Sequence, residues 1–304
     1  MLVVKSKLKK KRPRPSIQIT SVSDFVRHVV KWRLDGHPPT TFRGQRHYGW
    51  YSVPKLLRDD NDILSSENFA VRDIVSLHPS EFESDKTMFD RLVRMQHFGL
   101  PTRLLDVTTN PLVALWFATE TSNDNEESHG AVQAFLVPKD RQRYYDSDRV
   151  SCMANIANLT KKQKEEIASC AMMASSVIEF NKQPVVDALV FHIGMEKAHF
   201  RNVIIPEDLL LPIYVKPKMS NKRIIAQAGA FILWGVNVDA SKTGERLRQD
   251  RIWIDEGDKA HIRDELNLLG INERTLFPEI DKSAKFITDL YGSKRRGLSE
   301  SGLL

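Results

Sequence analysis

The segment "MQHFGLPTRLLDVTTNPLVALWFATE", Met95 to Glu120, combines an apolar spacing with a dense set of polar side chains. Gly99 and Pro101 cannot continue the helix predicted before them, since glycine adopts positive φ angles and proline lacks an amide proton. Downstream, Asn110 is a typical N-cap residue and Pro111 suits the first helical position. The segment therefore predicts a helix, a turn and a second helix.

The turn between these two helices is rich in side chains that carry chemistry. They are His97, Thr102, Arg103, Asp106, Thr108 and Thr109. His97 can exchange a proton near neutral pH, and the Asp106 carboxylate can orient His97, pair with an arginine or cap the next helix. The same set can instead form an internal network that satisfies the backbone of a turn. The sequence leaves both interpretations open.

A second candidate is "FRGQRH", Phe42 to His47, and "TTFRGQ", Thr40 to Gln45, reads as a short strand. Arg43 near its end presents five planar donors, and Gly44 lets backbone approach closely. That arrangement suits a phosphate, a pyrophosphate or a carboxylate. The alternative is that Arg43 pairs with a buried carboxylate and braces the sheet.

A third candidate is "RIIAQAGAFILWG", Arg223 to Gly235. If the strand begins at Gln227, alternation places Gln227, Gly229 and Phe231 on one face. A polar side chain beside a glycine indicates a space that a ligand or another chain enters. The alternative is an edge strand with a glycine bulge.

The remaining pattern predicts an α+β fold with helices mainly N-terminal and a mixed or antiparallel sheet from mid-chain strands. Further helices are predicted over residues 20–36, 65–79, 84–98, 160–178, 258–270 and 279–292. Further strands are predicted over residues 131–137, 187–194, 209–216, 228–236 and 250–255. With 304 residues, 41% of them hydrophobic, the chain can bury a substantial core.

The sequence predicts three parts of the chain, the first of which is marked by its charge. The net charge is +6 and the pI is near 9.2, and much of the excess lies in residues 1–16. We expect residues 1–16 to be a basic flexible tail, either a solvated one or an arm that contacts nucleic acid. Residues 17–292 form the predicted domain, with a helical insertion around 140–183, and residues 293–304 form a second tail.

Several classes of protein find no support in the sequence. No run approaches the ~18 apolar residues of a membrane span, and the N-terminus lacks a signal-peptide pattern. Two cysteines favour a reducing, cytoplasmic setting. Phosphate-binding glycine loops, HExxH and paired CxxC motifs are absent, so no metal site is predicted.

The motifs together resemble one known family. "FRGQ", "MQHFGLPTRLLDVTTNPLVALWFA" and "RIIAQAGAF" look like hallmarks of the FRG domain, named after its Phe-Arg-Gly motif. The C-terminal "GINERTLFPEIDKSAKFI" resembles the tail of that family, so the resemblance spans roughly residues 20 to 290. The family implies a bacterial or phage context of conflict or defence.

A more distant resemblance is to arginine-specific ADP-ribosyltransferases. In that class an aromatic-Arg-Gly strand is followed by a Ser/Thr-rich strand that leads into a helix. The match implies an ADP-ribosyltransferase-like fold and NAD as substrate. By this match Arg43 holds the NAD phosphates or ribose, and Thr108 and Thr109 shape the nicotinamide pocket. We predict as NAD-binding residues Arg43, Gly44, Thr102, Arg103, Thr108 and Thr109, and as catalytic residues Arg43, His97, Asp106 and Gln227.

One departure from that class affects the implied activity. Such transferases carry a Glu on a late strand, but Gly229 stands at that place in "QAGAF". Either another carboxylate such as Asp106 supplies the charge, or the chemistry differs, or the domain binds a nucleotide without turnover. The leading prediction is an NAD-using toxin or defence enzyme. The alternatives are a regulatory module that binds nucleotide or nucleic acid, and a His/Asp-based hydrolase or nuclease with an unknown protein or nucleic-acid target.

Overall fold

The computed structural model describes residues 17–58, 62–121, 129–236 and 247–278. The strands are β1 (Ile17–Ile19), β2 (Thr41–Gln45), β3 (Leu104–Thr108), β4 (Gly130–Leu136), β5 (Gln142–Tyr144), β6 (Ile213–Lys216), β7 (Gly229–Leu233) and β8 (Arg248–Ile254). The helices are α1 (Val22–Lys31), α2 (Glu67–Leu77), α3 (Pro79–Phe82), α4 (Met88–His97), α5 (Pro111–Ala118), α6 (Asp148–Asn155), α7 (Lys161–Met173), α8 (Val177–Phe180), α9 (Pro184–Gly194), α10 (Pro206–Leu210), α11 (Lys222–Ala226), α12 (Lys259–Leu268) and α13 (Glu273–Leu276).

The eight described strands form one mixed sheet in the order β1-β8-β4-β2-β3-β7-β6-β5. The outer pairs β1–β8 and β5–β6 are parallel, and the inner neighbours are antiparallel. The sheet and its helices confirm the predicted α+β class. Helices also follow β4, so they are spread more evenly along the chain than the sequence pattern indicated.

The predicted turn between α4 and α5 contains a central strand. β3 pairs with β2 through Phe42 and Thr108, and with β7 over its whole length. The helix–turn–helix prediction was therefore wrong, and the order is helix, loop, strand, helix. A segment of only five residues carries too little periodicity to indicate a strand, and its partner strands β2 and β7 lie far away in sequence.

Helix α5 lies directly on the glycine of the Phe-Arg-Gly motif. A Cβ added to Gly44 would come within 1.9 Å of the Ala114 carbonyl oxygen and 2.8 Å of the Phe117 Cβ. On the neighbouring strand, a Cβ at Gly130 would lie 2.1 Å from the Ala118 carbonyl oxygen. Small residues on both sides, including Ala114 and Ala118 of the helix, thus bring the helix against the sheet.

Two other predicted strands differ from the structure. Residues 187–194 belong to helix α9, because Pro184 starts the helix at its first turn and the buried residues follow a helical spacing. Those buried residues are Val185, Val186, Leu189 and Ile193. The predicted strand 209–216 begins only at Ile213, after α10 and Pro212. The predicted helix 279–292 and both tails lie outside the described residues.

The apolar core covers both faces of the sheet. Along β3, Leu104 packs with the large helical cluster that includes α4, α6, α7 and α9, whereas Leu105 and Val107 pack on the opposite face. A third cluster joins α1, α5 and α12 to β2, β4 and β8. Within the described residues, no helix is both long enough and apolar enough to cross a membrane.

Candidate functional site

A cavity of about 400 Å³ lies where β2, β3 and β7 run side by side. Its walls also include side chains of α4, α5 and α11 and of the chain that follows β2. Six of the predicted site residues line it: Arg43, Gly44, His97, Asp106, Thr108 and Gln227. Three segments that are distant in sequence therefore converge on one cavity.

Arg43 contributes both a structural bond and an unused donor. Its Nη1 donates to the Asp106 carbonyl oxygen at 2.6 Å, which ties β2 to β3. Its buried Nε has no hydrogen-bond partner among the described residues. Burial lowers the pKa of Arg43 to about 10, and the Asp106 carboxylate acts in the opposite direction. The guanidinium therefore remains charged at neutral pH and keeps a donor for a ligand.

Further cations line the same cavity. They are Arg46, Arg58 and Arg223, which with Arg43 give four guanidinium groups against two carboxylates, those of Asp106 and Glu120. The Arg46 guanidinium lies 5.1 Å from the centre of the Trp50 ring, and Trp50 lines the cavity as well. The site thus has an excess of positive charge and an aromatic wall. None of these three additional arginines was predicted as a site residue, although Arg46 and Arg223 lie within candidate segments.

The cavity wall near α4 includes His97 but not Thr102. His97 is half-buried, lines the cavity and lies edge-on to the Phe98 ring at 5.2 Å. Thr102 is buried, donates to the Gln96 Oε1 and accepts from the Leu104 amide at 3.2 Å. Thr102 lines a smaller neighbouring cavity of about 200 Å³ that shares Arg43, Arg58, Gln96 and Asp106 with the first.

The structure does not bring Arg103 to either cavity. Arg103 is 1% exposed, and its Nε and Nη2 bind Glu67 at 2.9 and 2.5 Å. Its Nη1 donates to the carbonyl oxygens of Trp234 and Gly235. Burial raises the pKa of Glu67, but Arg103 and Lys164 outweigh that effect and hold it below its usual value. Arg103 therefore belongs to a buried ion network that connects α2, α7 and the end of β7.

The two threonines at the end of β3 differ in position. Thr108 lines the cavity and donates its hydroxyl to the Gln227 carbonyl oxygen at 2.7 Å. Thr109 is exposed and does not line the cavity, and its amide donates to the Ala228 carbonyl oxygen at 3.0 Å. Both threonines fasten β3 to the chain before β7, but only Thr108 faces the candidate site.

The strand predicted to begin at Gln227 begins two residues later. Asn221 accepts from the Arg223 amide and starts the short helix α11, and Gln227 is its C-cap residue. Ala228 then adopts a φ of 45°, which turns the chain into β7. The Gln227 Nε2 donates to the Leu276 carbonyl oxygen at 3.0 Å, so its amide is anchored at the cavity wall. The predicted strand began too early because the capping of α11 by the Asn221 side chain keeps the residues before Gly229 out of the strand.

Glu120 is a cavity residue that sequence analysis missed. It follows the C-terminal end of α5 and is half-buried, and its carboxylate accepts no hydrogen bond from the described residues. Burial raises the pKa of Glu120, and Arg263, Arg46 and Lys259 partly offset this. One signal was available in the sequence, since a carboxylate just after a helix C-terminus is disfavoured by the helix dipole.

Together the fold and the cavity define an α+β domain with a cationic cavity at the centre of its sheet. The FRG domain model matches residues 38–127, so the chain contains an FRG domain, as the motifs predicted. The match includes β2, β3 and α5 and ends before β7 and α11. Neither a curated protein nor a solved structure matches the chain.

Proposed function

We propose that the FRG domain of this protein binds NAD in the central cavity and transfers its ADP-ribosyl group. The observation that carries the proposal is the convergence of Arg43, Thr108 and Gln227 on one cavity. The cavity volume lies within the ~300–1,000 Å³ typical of small-molecule sites. An enzyme of this kind suits a toxin or phage-defence effector that acts in the cytoplasm, where NAD is present.

The cationic wall supports binding of the NAD pyrophosphate. Guanidinium groups form short, charge-assisted hydrogen bonds with phosphate oxygens, often two at a time. Arg43 is charged and has a donor without a partner among the described residues, so it is the first residue we assign to the phosphates. Aromatic side chains such as Trp50 and Phe117 offer surfaces on which a planar ring stacks.

The acidic side chains support the transfer step. Release of nicotinamide leaves positive charge on the ribose, which a nearby carboxylate stabilises in a site shielded from water. Asp106 and Glu120 both line the cavity, so a carboxylate is present although Gly229 stands where the related transferases carry a glutamate. The acceptor is a protein or nucleic-acid group, or water.

Calorimetry with NAD and an assay for released nicotinamide test the proposal. We expect Arg43→Ala to weaken NAD binding about 10- to 100-fold, the equivalent of a lost charge-assisted hydrogen bond. Arg91→Ala, which removes an exposed arginine of α4 outside the cavity, is the matched control and should bind as the unmodified chain does. A folded protein that neither binds NAD nor releases nicotinamide would overturn the proposal.

A second candidate is a regulatory domain that binds a nucleotide without converting it. The observation that favours it is Gly229, which replaces the expected glutamate on β7. The same calorimetry separates the two functions, because NAD binding without nicotinamide release supports only the regulatory one. A nucleic-acid version depends on residues 1–16, which lie outside the described residues. It predicts salt-sensitive binding that weakens when residues 1–16 are deleted.

His97 supports a third candidate function, that of a hydrolase or nuclease. Its imidazole lines the cavity together with the Asp106 carboxylate, as general acid–base chemistry requires. We expect this function to appear as cleavage of a phosphodiester or ester substrate that His97→Ala abolishes while NAD binding persists.

A further inference from the structure

We propose that Glu120 is the catalytic carboxylate of this cavity, which stabilises the positive charge on the ribose during ADP-ribosyl transfer. The inference rests on the proposed function and identifies the residue that takes the place of the glutamate missing from β7. It assigns a role to a side chain that no motif of the sequence marked. Its support is the position, the surroundings and the anchoring of Glu120.

The Glu120 carboxylate differs from other shielded carboxylates in this structure. Asp85 binds Arg94 at 2.7 Å, and Asp208 binds Arg149 at 2.7 Å. Glu67 is held by Arg103 and Lys164. Glu120 is half-buried in a cavity with four arginines, yet its carboxylate accepts no hydrogen bond from the residues that the structure describes. A shielded carboxylate left open toward a cavity is available to a ligand.

A hydrogen bond from a buried lysine holds the backbone at Glu120 in place. Lys259, 1% exposed, donates its Nζ to the carbonyl oxygens of Glu120 and Arg46, both at 2.9 Å. This single ammonium joins the first turn of α12 to the end of α5 and to the chain after β2. The preceding residue, Thr119, is fully buried and donates its hydroxyl to the Trp116 carbonyl oxygen at 2.8 Å. A fixed backbone gives the carboxylate a defined starting position, as catalytic groups require.

Glu120 suits the role better than Asp106, the other carboxylate of the cavity. Asp106 is exposed, so water weakens its interaction with a developing charge. Glu120 is half-buried, and in a medium of lower dielectric constant the same charge acts more strongly. Both lie within electrostatic range of Arg43, the residue assigned to the phosphates. Glu120 therefore combines shielding with proximity to the anchored end of the substrate.

The reaction is balanced without a further co-reactant. The bond between the ribose C1′ and the nicotinamide nitrogen breaks, and its electron pair leaves with nicotinamide, which becomes neutral. An oxygen or nitrogen of the acceptor forms the new bond to C1′ and loses a proton. Glu120 faces the cationic ribose, accepts that proton and passes it to solvent. With water as acceptor the products are nicotinamide, ADP-ribose and a proton.

The test compares Glu120→Gln with the unmodified full chain, by NAD calorimetry and nicotinamide release. Glu120→Gln keeps the shape and removes the charge, so we expect NAD affinity to stay within about tenfold while turnover falls about 100-fold or more. Glu166→Gln, an exposed position on α7, is the matched control. Thermal melting verifies folding, and Glu120→Asp provides a second variant that retains the charge and should recover part of the turnover.

The outcomes separate this inference from the proposed function. Turnover by the unmodified chain and equal turnover by Glu120→Gln would overturn the role of Glu120 and leave the NAD-transferase proposal intact. Equal loss in Glu120→Gln and Glu120→Asp, with NAD affinity lost in both, would make Glu120 a structural or binding residue. No NAD binding by the unmodified chain would overturn the proposed function, and the role of Glu120 with it.

Discussion

Arg43 lies on β2, and Arg103 directly precedes the neighbouring strand β3, but the two arginines are used differently. Arg103 is fully buried, and its donors are taken up by Glu67 and two backbone carbonyl oxygens. Arg43 donates one hydrogen bond, from Nη1, to the Asp106 carbonyl oxygen, and its buried Nε has no partner among the described residues. Arg103 thus stabilises the fold, whereas Arg43 lines the candidate site.

The contrast shows that a cluster of polar residues is not by itself a sign of function. In "PTRLLDVTT", the Thr102 and Arg103 side chains satisfy groups inside the protein, whereas Asp106 and Thr108 reach the cavity. Residue types that bind phosphate and carboxylate serve equally well as internal braces. For the two arginines, the distinguishing property is whether partners inside the protein use all the hydrogen-bonding groups of the side chain.

The largest expected effect comes from removing the internal arginine. Arg103→Ala leaves the buried Glu67 with Lys164 alone, and breaking a buried ion pair in this way costs about 3–5 kcal/mol. Arg43→Ala loses one hydrogen bond to a backbone carbonyl, worth about 1 kcal/mol, and we expect it to weaken the proposed NAD binding. Urea unfolding measures the first property and calorimetry the second. Equal stability of the two variants would contradict the distinction.

The next effect tests how Arg43 is held against α5. Gly44→Ala places a methyl group 1.9 Å from the Ala114 carbonyl oxygen, so helix and strand must separate. Such overpacking costs about 1–3 kcal/mol, and we expect NAD affinity to fall as well because Arg43 and Phe117 shift apart. Gly194→Ala is the control, since its methyl group meets no atom within 4 Å and should stabilise α9 by about 0.5–1 kcal/mol. A Gly44→Ala variant as stable as the unmodified chain would contradict the close approach.

The sequence predicted the elements whose signals are local. β2, β4, α4, α5 and α12 follow from periodicity, capping and the prolines and glycines near their ends. The sequence did not reveal β3 as a strand, because its identity depends on pairing with β2 and β7. Residues of α9 were predicted as a strand, because Val, Phe and Ile are common in strands and their helical spacing was overlooked.

The site was predicted in the same uneven way. Arg43, His97, Asp106, Thr108 and Gln227 were identified because each lies in a conspicuous motif. Glu120 was missed because it stands alone after an apolar helix, and it is a cavity residue only by virtue of where α5 ends. Arg103 binds Glu67, which also binds Lys164, and these two residues are 36 and 61 positions from Arg103 in the sequence. Over such distances, sequence spacing carries no information about contact.

A pH effect is expected from Lys259, the buried lysine beneath the cavity. Burial lowers the pKa of Lys259 to about 8, and it also lowers the pKa of Lys164, where the Glu67 carboxylate acts in the opposite direction. Between pH 8 and 10.5 the unfolded chain binds a proton at Lys259 that the folded chain has released, so this residue makes stability rise with pH. We expect Lys259→Met to lose that part of the rise, measured as the difference between its urea midpoints and those of the unmodified chain. Parallel curves across this range would contradict the lowered pKa.

The smallest expected effect separates the two threonines at the end of β3. Thr109 is exposed and lies outside the cavity, so Thr109→Ala should change NAD affinity less than twofold and stability by about 0.5 kcal/mol or less. Thr108→Ala removes the bond from its hydroxyl to the Gln227 carbonyl oxygen, which fixes the cavity wall, and should cost about 1 kcal/mol. Because Thr108 also lines the cavity in which we propose that NAD binds, we expect its loss to weaken NAD binding more than that of Thr109. Equal NAD affinities for the two variants would show that the wall at Thr108 does not contribute to binding, and would restrict the site to the arginines and carboxylates.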